Sequence, residues 1–457
     1  MRPNIVLIVM DAARADRLSC YGYSRKTTPN LDALAARGYR FDQAISAGCW
    51  TVPSHASLFT GLYPIEHGAN QSMLPESAGT TIAERLQNAG YQTIAISANP
   101  YISPGRGFGR GFAEFHEVWR SRPRLRRGQV IPWLGRRLGW LDNGARETNA
   151  IVRRKLATAR RPFFIFINYM ETHSPYLRFW PVGREFIRPS LNLSARLRLW
   201  RYHRQAREWD QFVEGGETLM QLLGDLYDED MHYVDRRVGD LLNDFDRAGL
   251  MDSTVTVVTA DHGENMGEHG LVQHHLCLYD TLLRVPLLVC APDVAEGGTC
   301  LSNQVQLTDL APSLARFAGI NSGGSSEERP YLLDARKMVG RDWPAYAQYD
   351  VPPEVMKVWS LRNRRFDFHP YNRSLRAIRD GGLKYIQSEE EAVELYDLCS
   401  DPGETKNLAG DESRTAEVKK MAAELDDWLR QHKPIASEGE LSEDPAVERK
   451  LRELGYL

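Results

Sequence analysis

Short apolar runs alternate with stretches of helical periodicity up to about residue 317. The apolar runs cover residues 5–9, 93–96, 163–167, 255–259 and 285–289, and the helical stretches cover residues 30–37, 54–59, 83–89, 217–248 and 307–317. Continuous apolar runs of this length are typical of strands that are buried on both faces. The pattern predicts an α/β domain with a mostly parallel sheet sandwiched by helices.

The pattern changes at about residue 343. Short alternating segments follow at residues 358–361, 375–378, 383–386 and 394–398, and a charged helical stretch covers residues 414–432. Alternation with intervening turns predicts antiparallel hairpins. A segment rich in serine and glycine, residues 321–328, is the expected linker. We therefore expect a large α/β domain over residues 1–325 and a smaller C-terminal domain, with an antiparallel sheet plus a helix, over residues 326–457.

Composition and charge exclude several classes of protein. The 457 residues are 42% hydrophobic, which is ordinary for a globular protein and argues against a disordered chain. Lysine and arginine number 57 against 60 acidic residues, so the formal charge of −3 creates no overall field that attracts nucleic acid. We expect no nucleic-acid partner.

Two arginine-rich stretches depart from this balance, at about residues 105–145 and 180–210. We interpret these two stretches as insertions into the predicted α/β domain. Solvated helices are the plain interpretation, and a basic lid that gathers an anionic substrate is the alternative. Association with a surface through residues 130–141, where tryptophans flank arginines, is a third.

The sequence shows no targeting or membrane-spanning pattern. Its first apolar run is too short for a signal peptide, and no run approaches 18 apolar residues. We expect a cytoplasmic protein with reduced thiols. No CxxC pair is present, so the cysteines are expected to be buried side chains rather than zinc ligands or disulfides: Cys20, Cys49, Cys277, Cys290, Cys300 and Cys399.

Potential metal ligands follow two of the predicted strands. Asp11 comes directly after the first strand, and Asp261 with His262 comes directly after the strand at residues 255–259. In open α/β sheets the ligand site lies at the carboxyl ends of the strands. Each of these residues alone would be a solvated loop residue, but together they predict a metal site.

A hydroxyl group stands beside a predicted helix start. Pro53 and Ser54 can open a helix that Gly61 closes, so Thr51 precedes an N-terminus, where backbone N–H groups and the helix dipole favour an anion. Threonine at such a position is often only a cap. The residues alone leave the choice between cap and nucleophile open.

These segments together resemble the sulfatase family of the alkaline phosphatase superfamily. The matching blocks span nearly the whole chain. They are residues 3–11 and 14–22, residues 53–61 with Tyr63-Pro64 and His67-Gly68, His173-Ser174-Pro175-Tyr176, residues 261–264 and 267–270, residues 284–287, residues 395–398, Asp401-Pro402 and residues 407–409. The resemblance implies the alkaline phosphatase-like fold and ester hydrolysis.

The departures from the family pattern change the expected chemistry. Thr51 stands where sulfatases carry the cysteine that becomes formylglycine, and Cys49 lies two residues too early, so no formylglycine is expected. The resemblance implies that one divalent metal is held by Asp11, the Thr51 oxygen, Asp261 and His262. Because an imidazole is among the ligands, manganese or zinc is favoured over calcium.

The resemblance also assigns the residues around the ester. His55 takes the place of a sulfatase arginine, Asn99 or Tyr101 the place of the cations that flank the sulfate, and His274 that of a later lysine. His55, Asn99 and Tyr101 are therefore the expected substrate-binding residues, with His55 and Asn99 also in the catalytic set. His173 is the expected acid for the leaving group, with His274 as the alternative.

Four other residues receive a structural assignment. His67 and His269 are expected to support turns. Asp228 and His232 have the helical spacing of a second metal site, but their helix is expected to pack on the sheet.

The sequence thus predicts a metal-dependent hydrolase in which Thr51 attacks a phosphodiester or phosphonate ester in line. Hydrolysis of a sulfate ester without formylglycine and transfer of a phosphoryl group to another alcohol are the alternatives. A binding protein that only retains the fold is disfavoured by the intact site residues. The partner is an anionic ester, its alcohol portion is not identified by a fold resemblance, and homo-oligomerisation stays open.

Overall fold

The computed structural model describes residues 2–69, 73–121, 142–176, 185–187, 208–292, 297–320, 332, 343–389, 392–433 and 446–447. The expected linker at residues 321–328 and the segment at residues 130–141 lie outside the described residues, as does much of the two arginine-rich insertions. The division into two domains at residue 325 stays a prediction.

Eleven strands lie between residues 4 and 306 of the described chain. They are β1 (Asn4–Met10), β2 (Tyr39–Ile45), β3 (Gln92–Ser97), β4 (Glu114–Glu117), β5 (Phe163–Tyr169), β6 (Thr254–Thr259), β7 (Asn265–Met266), β8 (Val272–Gln273), β9 (Arg284–Val285), β10 (Leu287–Cys290) and β11 (Thr299–Gln306). Strands β7 and β8 form a separate hairpin, and the other nine form the central sheet.

The central sheet is mostly parallel, as the apolar runs predict. Its order is β11-β2-β10-β6-β1-β5-β3-β4, with β9 paired to β2. Strands β6, β1, β5, β3 and β4 run parallel to one another, and β10 is antiparallel to both of its neighbours. Every residue of β1, β5 and β6 is buried, which explains their unbroken apolar character.

Helices cover the sheet. They are α1 (Pro29–Ala35), α2 (Thr51–Thr60), α3 (Pro64–His67), α4 (Ile82–Asn88), α5 (Val118–Ser121), α6 (Ala145–Leu156), α7 (Glu208–Arg247), α8 (Asp280–Leu283), α9 (Leu310–Phe317), α10 (Pro353–Arg362) and α11 (Thr415–Gln431). The long α7 is interrupted at Gly216, where φ is 53°. No helix of the described chain is both long enough and apolar enough to cross a membrane.

A second, antiparallel sheet and the last helix follow the central sheet. The strands are β12 (Ala345–Tyr349), β13 (Leu375–Asp380), β14 (Leu383–Ser388) and β15 (Val393–Asp397), paired in that order. The predicted strand at residues 358–361 is wrong, because these residues lie in α10. Pro353 starts that helix, and a four-residue alternation is too short to distinguish the two structures.

Aromatic side chains join α11 to the region around α3. The Trp428 ring stacks on Tyr346 of β12, with 4.4 Å between the ring centroids, and meets the Tyr63 ring edge-on at 4.8 Å. The Tyr63 hydroxyl donates a hydrogen bond to Oε1 of Gln306, and Nε2 of that glutamine donates to the Tyr346 carbonyl. The two sheets are thereby held together through one buried cluster.

A buried ion cluster holds the same two parts. Nζ of Lys384, on β14, lies 2.9 Å from Oδ1 of Asp280 and 2.7 Å from Oε1 of Glu404. Asp280 begins α8, which directly precedes β9 of the central sheet. A buried ammonium group needs such partners, because an unpaired charge in the interior is very costly.

The expectation that all cysteines are buried is wrong. Cys49 and Cys277 are buried, Cys20 and Cys290 are half-buried, and Cys300 and Cys399 are exposed. Cys300 lies on β11, an edge of the central sheet, at an alternating position that faces solvent. All six are free thiols.

Replacing Trp428 should destabilise the protein, because its ring packs against Tyr346 and Tyr63 in the buried cluster between α11 and the two sheets. We expect Trp428→Ala to lower the free energy of unfolding by about 3–5 kcal/mol, because a buried aromatic ring and its stacking contacts are lost. Equilibrium unfolding in urea measures the change. Leu361→Ala is the control, because Leu361 is 66% exposed and should change stability by less than about 0.5 kcal/mol. A loss below about 1 kcal/mol in Trp428→Ala would contradict this role.

Candidate active site

The ends of two parallel strands bring the predicted metal ligands together. Asp11 directly follows β1, and Asp261 lies two residues beyond the end of β6, the parallel neighbour of β1. Oδ1 of Asp261 accepts hydrogen bonds from the backbone N–H groups of Ala12, at 3.1 Å, and His262, at 3.0 Å. The carboxylate therefore fixes the turns after both strands.

The helix that carries Thr51 begins two residues earlier than Pro53, the predicted start. Thr51 is the first residue of α2, and Trp50 occupies the cap position without a side-chain capping bond. The Thr51 Oγ1 lies instead 3.4 Å from Nε2 of His262, and the threonine is only 1% exposed. Its hydroxyl thus faces the metal-ligand candidates at a helix N-terminus, where a negative charge is favoured.

The residues fit a divalent cation. One ligand atom each from Asp11, Asp261 and His262 lies within 4.8 Å of the others, and all three residues are buried. Oδ1 of Asp11 has no hydrogen-bond partner, and Oδ2 of Asp261 has only the imidazoles of His55 and His262 near it, at 3.2 and 3.3 Å. Such an environment is costly for buried carboxylates unless a cation binds them. Nδ1 of His262 lies 2.8 Å from the Gly263 carbonyl and donates to it, so Nε2 is the ligand atom. Two carboxylates and an imidazole suit a divalent transition ion.

Two asparagines hold the second oxygen of Asp11. Nδ2 of Asn99 donates to Oδ2 of Asp11 at 2.7 Å, and Nδ2 of Asn168 donates to the same oxygen at 3.2 Å. Oδ1 of Asn99 accepts from the Tyr101 N–H at 2.9 Å. Asn99, predicted to contact the substrate, therefore contacts a metal-ligand candidate. Asn168 was not predicted, and its only signal is an amide near the carboxyl end of an otherwise apolar strand.

His55 lies one helical turn after Thr51 and beneath it. Its Nδ1 is 3.0 Å from the Thr51 carbonyl and 3.2 Å from Oδ2 of Asp261, and its Nε2 is 3.5 Å from Nδ2 of Asn168. The imidazole is completely buried. His55 therefore contacts the backbone carbonyl of Thr51 and the carboxylate of Asp261, and it is not exposed to solvent.

The charges in this cluster shift one another's pKa values. Burial and then the charge of Asp261 raise the pKa of Asp11. Burial also favours protonation of Asp261, but His262 and His55 outweigh it and lower the pKa of Asp261. Burial opposes the charged form of His55, but the carboxylates of Asp261 and Asp11 raise its pKa above the ordinary histidine value. The site thus keeps negative charge on Asp261.

A second group of imidazoles lies beside the metal-ligand candidates. The His274 ring centroid is 4.7 Å from that of His173 and 4.5 Å from that of His262. Burial lowers the pKa of His274 well below its ordinary value, and the neighbouring imidazoles lower it further. Both residues predicted to protonate the leaving group are therefore adjacent to each other and to the same cluster.

Two residues of this group were missed from the sequence. Nδ1 of His274 lies 3.0 Å from Oε1 of Glu264, and the ring centroid of His275 is 4.9 Å from that of His274. Burial raises the pKa of Glu264 to about 7. The available signals are a glutamate two residues after His262 and a pair of adjacent histidines.

Tyr101 reaches the site through an aromatic contact. The Tyr101 ring meets the Trp50 ring edge-on, with 6.0 Å between the ring centroids. The Arg106 guanidinium lies 5.1 Å from the centroid of the Tyr101 ring. Trp50 directly precedes Thr51. Tyr101 is only 6% exposed, so it lies buried beside the start of α2.

The remaining candidates lie in other contacts. Asp228 forms ion pairs with Arg17 and Arg25, and Nδ1 of His232 donates to the Thr27 carbonyl. Across the described chain, the only group of metal-ligating side chains with suitable spacing is the one described above, which does not contain them. The two histidines expected to be structural contact Ser57 and Tyr279, respectively; they are His67 and His269.

Comparisons with known proteins agree with this geometry. The family described as Sulfatase matches residues 3–320, and the family described as N-sulphoglucosamine sulphohydrolase, C-terminal, matches residues 267–431. Arylsulfatase A of Homo sapiens is 28% identical over 89% of this chain and 83% of its own. N-acetylglucosamine-6-O-sulfatase of Bacteroides thetaiotaomicron is 24% identical over 94% and 87%, respectively.

Solved structures share the fold. The phosphonate monoester hydrolase of Agrobacterium radiobacter superposes with a TM-score of 0.72 at 22% identity, covering 94% of this chain and 96% of its own. The resemblance drawn from the motifs is confirmed, and the alkaline phosphatase-like architecture with it. The chain belongs to the sulfatase family of ester hydrolases.

Proposed function

We propose that this protein hydrolyses a phosphodiester or a phosphonate monoester, with Thr51 as the nucleophile. The observation that carries the proposal is the Thr51 hydroxyl, which lies at the N-terminus of α2 and 3.4 Å from Nε2 of His262. The Thr172 hydroxyl also contacts Asp11, but it donates to the backbone carbonyl at 2.6 Å and not to the carboxylate. A divalent ion held by these three residues supplies the positive charge that lowers the pKa of the hydroxyl and neutralises the ester oxygens.

The chain's own residues account for both half-reactions. In the first, the Thr51 hydroxyl releases its proton to solvent and its oxygen forms a bond to phosphorus while the bond to the leaving alcohol breaks, and His173 or His274 gives that alcohol its proton. The backbone N–H groups at the start of α2 stabilise the negative oxygens. In the second half-reaction, water attacks phosphorus and gives a proton to the imidazole that had lost one, the bond to Thr51 breaks, and the threonine oxygen takes up a proton from solvent.

A single hydroxyl group favours phosphorus over sulfur. A formylglycine hydrate has two hydroxyls, so one can carry the sulfate while the other expels it by carbon–oxygen cleavage. Threonine has only one, so a sulfated Thr51 would need attack of water at sulfur, whereas a Thr51 phosphoester is open to in-line attack at phosphorus. The residue at this position therefore supports transfer through phosphorus.

The charge around Thr51 favours a monoanionic ester. In the described chain, the hydrogen bonds and ion pairs of the Thr51 hydroxyl and of the Asp11 and Asp261 carboxylates with other side chains involve histidines and asparagines, with no lysine or arginine among them. A phosphate monoester dianion needs more compensating positive charge than a diester or phosphonate monoester does. A monoanion therefore suits this site best.

Sulfate ester hydrolysis is the second candidate. It is favoured by the names of the similar curated proteins, which include an arylsulfatase and an N-acetylglucosamine-6-O-sulfatase. It requires a route that does not use formylglycine.

The two candidates make different predictions for ester preference. We expect kcat/KM for an aryl phosphodiester or an aryl phosphonate monoester to exceed that for the matched aryl sulfate by at least about tenfold, or about 1.4 kcal/mol in transition-state stabilisation. Steady-state kinetics with one leaving phenol in all three esters measure this ratio. Efficient sulfate hydrolysis with negligible activity on the phosphorus esters would establish the second candidate instead.

Removing the nucleophile should abolish turnover. We expect Thr51→Ala to lower kcat by at least about 10³-fold on every ester, because removal of a covalent nucleophile is among the largest single losses in an enzyme. Thr51→Ser, which keeps a hydroxyl, should retain part of the activity. Thr60→Ala is the matched control, since Thr60 is a buried threonine at the other end of α2 that donates to the Ala56 carbonyl. Undiminished turnover in Thr51→Ala would exclude Thr51 as nucleophile.

The metal requirement follows from the ligand set. The purified protein should contain manganese, zinc or a similar ion, lose activity with chelator, and recover poorly with calcium. Mutation of a residue that only hydrogen-bonds to a metal ligand typically lowers metal affinity by about 10–100-fold. Asp261→Asn changes a ligand itself and should therefore reduce metal affinity by at least about 100-fold. Elemental analysis of the dialysed protein measures metal content. Asp228→Asn is the matched control and should keep the ion, while full activity of stripped protein in calcium alone would contradict the ligand assignment.

A further inference from the structure

Glu264 joins three segments that surround the imidazoles of the site. It lies two residues after His262, and its side chain is completely buried. Oε1 is 3.0 Å from Nδ1 of His274, and Oε2 accepts from the Ser174 N–H at 3.4 Å. The Tyr176 side chain also forms a hydrogen bond to this carboxylate. One buried group thus links the strand-end loop of β6, the loop after β5 and the segment after β8.

The contact with His274 fixes the state of that ring. In its ionised form Glu264 can only accept hydrogen bonds, so Nδ1 of His274 then carries the proton that is donated to Oε1. The bond selects one tautomer and one orientation of the His274 ring, with Nε2 pointing away from Glu264. That ring is packed between His173 and His262, which leaves it little freedom to rotate.

The contact with Ser174 acts on His173. Nδ1 of His173 donates to the Ser174 carbonyl, and the N–H of the same serine donates to Glu264. The residue whose carbonyl orients His173 is therefore also held, through its N–H group, by the carboxylate that contacts His274. Both imidazoles with a role in leaving-group departure depend on Glu264.

We propose that Glu264 is a positioning residue for leaving-group departure, which orients His274 directly and His173 through the backbone of Ser174. The inference rests on the proposed ester hydrolysis, but not on whether phosphorus or sulfur is attacked. A purely structural glutamate would hold the loops equally for every substrate. A positioning residue matters most where the leaving alcohol cannot depart without a proton.

A series of aryl esters distinguishes these roles. We expect Glu264→Gln to lower kcat/KM by about 100-fold for an ester with phenol as leaving group but by less than about threefold for the 4-nitrophenyl ester, since 4-nitrophenolate departs without a proton. The series is made in whichever ester class the wild-type protein hydrolyses fastest, so a wrong substrate class does not affect the comparison. An equal loss for all leaving groups would overturn the proposal.

Two further variants separate positioning from loss of structure. Glu268→Gln makes the same chemical change in the same loop, where Glu268 accepts from Arg14 at 2.7 Å, and its effect should be the same for every leaving group. The double variant Glu264→Gln with His274→Ala should lose less than the product of the two single losses, because both remove one function. Losses that multiply would place Glu264 outside this function.

A spectroscopic readout does not depend on activity. In the zinc-loaded protein with ¹⁵N-labelled histidine, the Nδ1 proton of His274 should give a downfield resonance, assigned by its absence in His274→Ala. We expect this resonance to move or disappear in Glu264→Gln while the thermal unfolding of the two proteins remains cooperative. An unchanged His274 resonance in Glu264→Gln would overturn the proposal, even for a protein that hydrolyses none of the esters.

Discussion

Two buried carboxylates that face each other set the requirements for the rest of the site. Parallel pairing of β1 with β6 places Asp11 and Asp261 at one edge of the sheet, where Oδ1 of Asp11 has no hydrogen-bond partner and Oδ2 of Asp261 has only imidazole neighbours. Such oxygens are tolerable in the interior only when a cation binds them. Asn99 and Asn168 occupy the remaining oxygen of Asp11. The backbone N–H groups of Ala12 and His262 occupy Oδ1 of Asp261, so each carboxylate keeps one oxygen for the ion.

Much of this centre follows from the sequence, because strand ends and helix starts obey simple rules. Continuous apolar runs locate the parallel strands, and the residues after them are Asp11, Asp261 and His262. Thr51 needed the family resemblance, since a threonine at a helix start is usually a cap. The roles of Asn168 and Glu264 were not predicted, because the hydrogen bonds that define them join segments far apart in the chain. Likewise, four alternating residues could not separate the helix α10 from a strand.

The C-terminal part supports the site from behind. The Trp359 ring, on α10, lies with its centroid 4.9 Å from that of His275, which in turn packs against His274. The buried ammonium of Lys384 ties β14 to Asp280, close in sequence to the segment that carries these histidines. The imidazoles of the site therefore pack against α10 of the C-terminal part as well as against one another.

The central claim is that Thr51 forms a covalent bond to phosphorus during turnover. Rapid acid quench of the protein with an aryl phosphonate monoester, followed by proteolysis and mass spectrometry, tests it most directly. The account predicts a phosphonyl adduct on the peptide that contains Thr51, formed together with the first burst of phenol and absent in Thr51→Ala. An unmodified Thr51 peptide during steady turnover, together with inversion of configuration at phosphorus, would contradict the account.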